Sequence, residues 1–526
     1  MDDLNSTKKY KDLVQDSYAK NYIKIYFWRG ISIILNLLAL FIVIPRLSSS
    51  PAIYGIYSVC ISVAIYLSYA DLGFLKAGVK YATEFFSQGN RKKEQEYLGF
   101  SLFVLALFVL IIAVVFLSLS FSPDSLIKGL IPGNEWDIAS KLFKIQALFS
   151  FNIILLRFVD SVFAIRLETY ISQRVRIVAS LLKIVSVFYF FTENNYDIVG
   201  YFFFMMLLDF IANMCCIWLI SRRYQYDFLF QVKSFRYNKR IFSHVKPLAL
   251  GSFYITITWI LYYELDQIAI GKILGAEDVA IYALAFALLT YYRTLSGIIF
   301  SPFQARFNHF VGLGKVDELR GFYLNIIKTT MPVVVFTVVP IIVLAEPFIL
   351  SWAGNQYQSS VLITKFLIAS NLFMFINIPG SYIIMSFERI RELYLINSVI
   401  VVVFWLGIFL LIGTLGTLSF AVFKLVIAII AMFFYLKVAL DFIKISLFNF
   451  CKETVIKLVV PVVLQILVLS LIKSEFNTDK SKIDLLLVLF SAASSIVLSF
   501  VVYGLFVKEF REKVKTFIAL IKIRIL

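Results

Sequence analysis

Residues 51–98 read PAIYGIYSVCISVAIYLSYADLGFLKAGVKYATEFFSQGNRKKEQEYL. A short turn leads into an apolar run of membrane length. An amphipathic basic segment follows, then a glycine, then a charged cluster. The same grammar returns 225 positions later, from AEDVAIY at 276–282 to HFVGLGKVDELRGFY at 309–323. Without a gap, Tyr57 matches Tyr282, Phe85 matches Phe310, Gly89 matches Gly314 and Tyr97 matches Phe322. Repetition at a fixed period marks a duplicated unit. Here the unit is a membrane one.

Composition agrees. Hydrophobic residues make up 60% of the 526 and charged residues 16%, more apolar and less charged than a soluble domain. The N-terminus is polar and basic (Lys8, Lys9, Lys11, Lys20, Lys24), and no small-residue cleavage site follows the first apolar run. That run reads as a retained anchor rather than a signal peptide. The net charge is +17, but the basic residues punctuate apolar spans instead of forming one soluble patch, which argues against nucleic acid. Cys60, Cys215, Cys216 and Cys451 have neither a disulfide framework nor metal-ligand spacing.

About fourteen apolar runs are long enough to cross the ~30 Å hydrocarbon core as helices. They lie near 28–47, 53–71, 98–121, 145–165, 176–192, 197–220, 247–271, 279–302, 323–345, 361–385, 393–412, 415–436, 455–472 and 485–506. Two are marginal: 176–192 is short and 145–165 carries charge. With the N-terminus in the cytoplasm, the inside segments hold 37 of the 50 Lys and Arg and the outside loops eight, the bias expected of cytoplasmic loops. Both termini are then cytoplasmic. The polar segment 221–246 divides six spans from eight, so both repeat copies run in the same direction, a parallel repeat about an axis along the membrane normal. The expected organisation is all-α. Residues 1–220 form an N-terminal six-span lobe, 221–246 a basic linker and 247–440 a second six-span lobe. Two further spans and a basic tail occupy 441–526, the tail lying on the membrane surface. The largest outer loop, around 122–144, is too short for a folded catalytic domain.

DLGFLKAGVKYATEFFSQGNRKKEQEYL, ILGAEDVAIYALAFAL and PFILSWAGNQYQSS resemble the polysaccharide-export branch of the MOP superfamily, which includes Wzx-type O-antigen flippases. The resemblance extends over about 28–440. It implies two six-helix lobes plus two helices around a central cavity. It also implies a non-enzymatic flippase of undecaprenyl-pyrophosphate-linked oligosaccharide, O-antigen or capsule repeat units, in the bacterial inner membrane. Membrane lipids and other glycan-assembly proteins are its expected partners.

Ionisable side chains inside spans face a cavity or a partner. The cations are Arg157, Lys183, Arg293, Lys365 and Lys424. Arg suits a pyrophosphate through its planar fork and Lys as a point charge, so these five are candidates for a cationic cavity lining. Arg293 and Lys424 lead, each mid-span with no acid within a turn. A structural reading stands beside each. Arg157 and Asp160 share a helical face and can pair, and Lys365, near the outer end of its span, can snorkel. Asp209, Glu264 and Asp266 are candidates for coupling to H+ or Na+. As parts of one helix, Glu264 and Asp266 would face different sides. Asn36, Asn152 and Asn377 either hydrogen-bond sugars or bridge helices. His244 and His309 are too far apart for a metal site. There is no Walker A loop, no nucleotide fingerprint and no nucleophile motif, so no cofactor is expected. Two other functions fit in outline: a multidrug or ion antiporter of the same superfamily, which for cationic drugs calls for an acidic cavity, and a membrane glycan polymerase or ligase, which calls for larger outer loops.

Overall fold

The chain is seen here in a computed structural model that describes residues 2–69, 71–192, 195–444, 446–476 and 481–512. These residues are almost wholly helical and form two compact units, Met1–Ala280 and Ile281–Leu526.

The first unit holds α1 (Asp2–Ile42), α2 (Ile44–Leu47), α3 (Pro51–Tyr69), α4 (Phe74–Ser87), α5 (Arg91–Phe121), α6 (Glu135–Phe149), α7 (Asn152–Ile165), α8 (Tyr170–Phe190), α9 (Ile198–Tyr224), α10 (Phe228–Ser234), α11 (Lys239–Tyr263) and α12 (Asp266–Ile273). A two-stranded hairpin, Phe191–Thr192 with Asn195–Tyr196, turns α8 back alongside α9. The unit boundary falls inside α13 (Ala276–Gly312). The second unit continues with α14 (Val316–Val343), α15 (Ala345–Ala353), α16 (Gln358–Ala369), α17 (Asn371–Ser386), α18 (Ile390–Leu415), α19 (Leu418–Ile443), α20 (Leu447–Glu453), α21 (Ile456–Lys473) and α22 (Lys482–Phe506).

Twelve helices among the described residues are long and apolar enough to cross a membrane, and thirteen if the bent pair α6 and α7, 44° apart, counts as one span. The expected span at 145–165 is that bent pair, and it starts earlier, at Glu135. The expected span at 176–192 is α8, which Arg174, Arg176 and Lys183 make too charged to qualify by composition. Exposed Phe409, Leu410, Leu471 and Phe490 fit a surface bathed in lipid rather than water. The tail expected on the membrane surface lies outside the described residues from 513 onward. Before that point, Phe510 packs on Phe500 and Tyr503.

The repeat holds down to single hydrogen bonds. Gly89 (φ 75°) and Gly314 (φ 69°) end their helices in the left-handed region. In the first copy Asn90 N–H reaches Phe85 O and Gly89 N–H reaches Phe86 O; in the second, Lys315 N–H reaches Phe310 O and Gly314 N–H reaches Val311 O. This is the Schellman closure, and glycine takes its positive φ without a Cβ clash. Phe85 lies 5.1 Å from the Tyr97 ring, and Phe310 lies 5.4 Å from the Phe322 ring. The copies also differ: the first is interrupted between α3 and α4, whereas the second is the unbroken α13.

A second correspondence escapes the 225-residue register. Asp227 caps α10 through Phe230 N–H, and Ser446 caps α20 through Asn449 N–H. Leu229 and Phe448 are exposed, while Gln231 and Phe450 are buried. Phe235 meets Phe103 of α5, and Glu453 pairs with Lys328 of α14. Phe103 and Lys328 are 225 positions apart, so each copy docks a short helix at the same level.

The segment 221–246 is therefore not a plain linker. Gln231 and Ser234 of α10 are buried, and a Cβ on Gly99 of α5 would lie 2.6 Å from the Ser234 carbonyl oxygen. The helix expected over 247–271 starts at Lys239, capped by the Asn238 side chain. Its first turns bury Ile241, Val245 and Ala249 against Ala77, Tyr97 and Phe100 of α4 and α5. Lys239, Arg240 and Lys246 interrupt that run and disguise it from an apolar-run reading. His244 shares a 2.7 Å hydrogen bond with the Tyr97 hydroxyl, and its ring lies tilted 4.2 Å from that of Tyr81. In the second unit, Phe336, Tyr323, Ile327 and Phe307 centre a core that also takes in Leu458 of α21 and Tyr503 of α22.

Candidate functional site

In the first unit α3 lies antiparallel to α12 and the end of α11. Its contact positions step by four and three: Gly55, Val59, Ser62, Tyr66, Tyr69. That rhythm keeps one stripe of a helix against a partner. A Cβ on Gly55 would lie 1.8 Å from the Ala276 carbonyl oxygen, so only glycine lets the two backbones meet there. A Cβ on Gly271 would lie 3.0 Å from Val59 Cγ2. The Ser62 hydroxyl donates to Gln267 Oε1 at 2.8 Å, and the Tyr69 hydroxyl donates to Glu264 Oε1 at 3.4 Å. The loop after α5 clasps the far end of α12: Lys128 N–H bonds to Gly271 O at 2.9 Å, Lys128 Nζ to Ile273 O at 3.2 Å, and Lys272 Nζ to Ser125 O.

The seam holds two buried carboxylates. Glu264 is 7% exposed and Asp266 1%. Helix α11 ends at Tyr263 and α12 begins at Asp266. The expectation that their spacing would put the two acids on different helix faces fails here, because no continuous helix joins them. Both carboxyl groups lie near the hydroxyl of Tyr66. Asp266 stands in the first turn of α12, where the helix dipole favours a negative charge. Interrupted helices of this kind place polar backbone and ionisable side chains at membrane depth only where protein or a cavity surrounds them.

A second interruption lies on the same stripe. Leu72 N–H bonds to Tyr69 O, not to Ser68 O. The Ser68 carbonyl thus loses its helical donor, and Arg157 Nη2 of α7 takes it at 2.7 Å. Arg157 also acts on Asp71, just past the end of α3. A Cβ on Gly73 (φ 82°) would lie 2.8 Å from Ala249 O, so the break also lets α11 approach closely.

The remaining candidates are placed as follows. Arg157 does not pair with Asp160 as their shared face suggested; Asp160 pairs with Arg176 of α8 at 2.7 Å. Lys183 pairs with Asp209 at 2.6 Å across α8 and α9, which joins a candidate cation to a candidate coupling acid. Asn152 accepts from Asn213 at 2.8 Å, which is the helix-bridging alternative. In the second unit Lys424 is 1% exposed, its ammonium 4.7 Å from the Phe404 ring centre and 5.9 Å from that of Phe286. Burial against ring faces suits an ammonium. Arg293 is half-buried on α13, one residue beyond Tyr292, whose hydroxyl reaches Val334 O and Thr337 Oγ1. Lys365 and Lys473 both act on Glu346, the latter through a 2.7 Å bond. The five cations thus divide between the units, Arg157 and Lys183 in the first and Arg293, Lys365 and Lys424 in the second. Sequence reading missed Ser62, Tyr66, Tyr69, Asp71 and Gln267. The four-three spacing on α3 is the signal that points to the first three.

No family model matches the sequence, and no curated protein matches it. Solved structures match the fold. One described as lipid II flippase MurJ in an inward closed conformation has a TM-score of 0.65 at 14% identity, covering 94% of this chain and 99% of that one. A multidrug resistance MATE family transporter of the MOP superfamily in an inward-facing conformation gives 0.58 at 16% identity, covering 78% and 94%. An outward-facing MATE family transporter gives 0.52 at 14% identity, covering 82% and 96%. The chain therefore has the all-α, multi-pass fold of MOP-superfamily transporters.

Proposed function

We propose that this chain is a non-enzymatic flippase that moves a lipid-linked oligosaccharide across a bacterial inner membrane by alternating access. The observation that carries the reading is the closed α3–α12 seam, with Glu264 and Asp266 buried where α11 breaks. A seam closed by glycine contacts at one end and a few hydrogen bonds at the other separates at modest cost, and two buried carboxyl groups give its opening a dependence on H+ or Na+. The similarity to a lipid II flippase over nearly the full length of both chains supports a lipid-linked substrate. The resemblance in 71–98, 273–288 and 347–360 supports the Wzx-type branch and an undecaprenyl-pyrophosphate carrier of O-antigen or capsule repeat units. In this reading both termini are cytoplasmic and the seam faces the periplasm. Arg293 and Lys424, with Arg157, Lys183 and Lys365, attract the pyrophosphate as the lobes move. Other glycan-assembly proteins supply and consume the substrate.

The test is flipping of a fluorescent undecaprenyl-pyrophosphate oligosaccharide in proteoliposomes, read by quenching of the outer leaflet. Parent protein should equilibrate the leaflets. Glu264→Gln and Asp266→Asn should slow this and weaken its response to an imposed pH or Na+ gradient. Equal rates with and without protein would end the proposal. Similarity to MATE transporters supports a second reading, export of organic cations. Uptake of such cations by the same vesicles, without lipid flipping, would favour it.

A further inference from the structure

Where α8 begins and α9 ends, a cavity of about 430 Å³ is lined by Tyr170, Ile171, Arg174, Val175, Leu219, Arg222 and Arg223. It lies apart from the α3–α12 seam. Three exposed arginines from two helices line it together with the apolar Ile171, Val175 and Leu219. Ring faces hold two of them: Arg174 lies 4.7 Å from Trp28 and 5.3 Å from Tyr170, and Arg222 lies 4.8 Å from Trp218. Arg223 forms a two-pronged pair with Glu168, at 2.5 and 3.0 Å. Glu168 offsets one charge of the three, while Lys24 adds another over the Tyr170 ring at 5.3 Å. The cavity thus keeps a positive excess.

Gathering like charges is unfavourable unless an anion joins them. The dipole at the N-terminus of α8 is offset by that at the C-terminus of α9, so the positive excess comes from the side chains. Trp28, Trp218 and Tyr170, which surround the arginines, are of the aromatic types enriched at the level of lipid headgroups. Arg222 and Arg223 close α9 on the Lys- and Arg-rich side of the membrane. Arginine forks fit phosphate oxygens, and basic pockets between membrane helices on that side fit phospholipid headgroups.

We propose that this cavity binds the phosphate of an anionic phospholipid from the cytoplasmic leaflet, with the first acyl carbons on Ile171, Val175 and Leu219. Phosphate goes to Arg174 and Arg222, because Arg223 is already held by Glu168. The site is independent of what the chain transports.

The test is native mass spectrometry of the full chain, released from nanodiscs holding equal amounts of phosphatidylglycerol and phosphatidylcholine. The parent should retain phosphatidylglycerol several-fold over phosphatidylcholine. Arg174→Gln with Arg222→Gln should abolish the preference, and Lys239→Gln, outside the cavity, should keep it. If the glutamine pair fails to fold, Arg174→Lys with Arg222→Lys keeps the charge and should still lower retention, since the fork is lost. Inorganic phosphate at millimolar concentration should displace little of the lipid. Unchanged retention in the folded glutamine or lysine variants overturns the assignment. Equal retention of both lipids in the parent does the same. Full displacement by inorganic phosphate would make this a free-anion site and overturn the role of the apolar residues.

Discussion

Gln465 Nε2 lies 3.0 Å from the carbonyl oxygen of Phe336. Pro340, four residues along α14, has no N–H to give that carbonyl. The amide of α21 supplies the missing donor and also reaches Ser495 Oγ of α22 at 3.3 Å. One buried side chain thereby fastens both C-terminal helices to α14 beside Pro340. Gln465→Leu should lower the melting temperature in detergent, by a penalty of about 1–3 kcal/mol for a carbonyl left unpaired in an apolar surround. Combining it with Pro340→Ala, which restores the helical donor, should shrink that loss. A double-mutant cycle on melting curves measures the coupling.

Gly55 sets how closely α3 can approach Ala276. Gly55→Ala should hold the Ala276 end of the seam apart and, on the proposed function, stop transport while leaving the rest of the unit folded. Val59, buried beside Gly55, offers the readout. A cysteine placed there should resist a membrane-impermeant thiol reagent in the parent. In the Gly55→Ala background it should react.

The Lys183–Asp209 pair gives a test of whether Lys183 serves structure or substrate. Lys183→Gln should cost about 1 kcal/mol of stability. The exchange Lys183→Asp with Asp209→Lys should restore stability and transport together if pairing is its whole role. Restored stability without transport would mark the cation at 183 as a substrate contact.

Glu346 ties α15 to α21 through Lys473. The hydrogen bond from Lys473 holds its carboxyl below the ordinary range, against a smaller opposing effect of burial. A carboxyl lowered in the folded state contributes stability above its unfolded pKa, and that contribution fades as pH falls through the folded value. Melting temperature should therefore drop with acidification below the ordinary carboxylate range. Glu346→Gln should flatten that part of the profile, as thermal melts at stepped pH would record.

Much of the architecture was legible because membrane helices answer to one-dimensional rules. Apolar runs of fixed length located the helices, charge bias oriented the expectation, and Gly89 and Gly314 marked equivalent turns that the structure closes with equivalent hydrogen bonds. Length and charge could not reveal interruptions. The break at Glu264 and Leu265 sits in WILYYELDQIAIGKIL, which contains neither proline nor a glycine at the break. The helix gives way where its neighbours on α3 bond Glu264 and Gln267. Arg157 shows the same limit. Asp160 is near it in sequence, yet the group that claims it is the Ser68 carbonyl, exposed only because α3 stops there.

The sequence alone determined that this is a membrane protein with a duplicated unit, and where ionisable residues fall along its apolar runs, since hydropathy, spacing and repetition are properties of the chain in order. Only the tertiary structure decided which of those charges meet. It paired Lys183 with Asp209, gave Asp160 to Arg176, set Lys424 among rings, and drew Glu264 and Asp266 to one seam. The physical reason is that a charge in a low-dielectric interior is governed by whatever lies within a few ångströms. Those neighbours come from helices distant in sequence, so their identity appears only once the helices have packed.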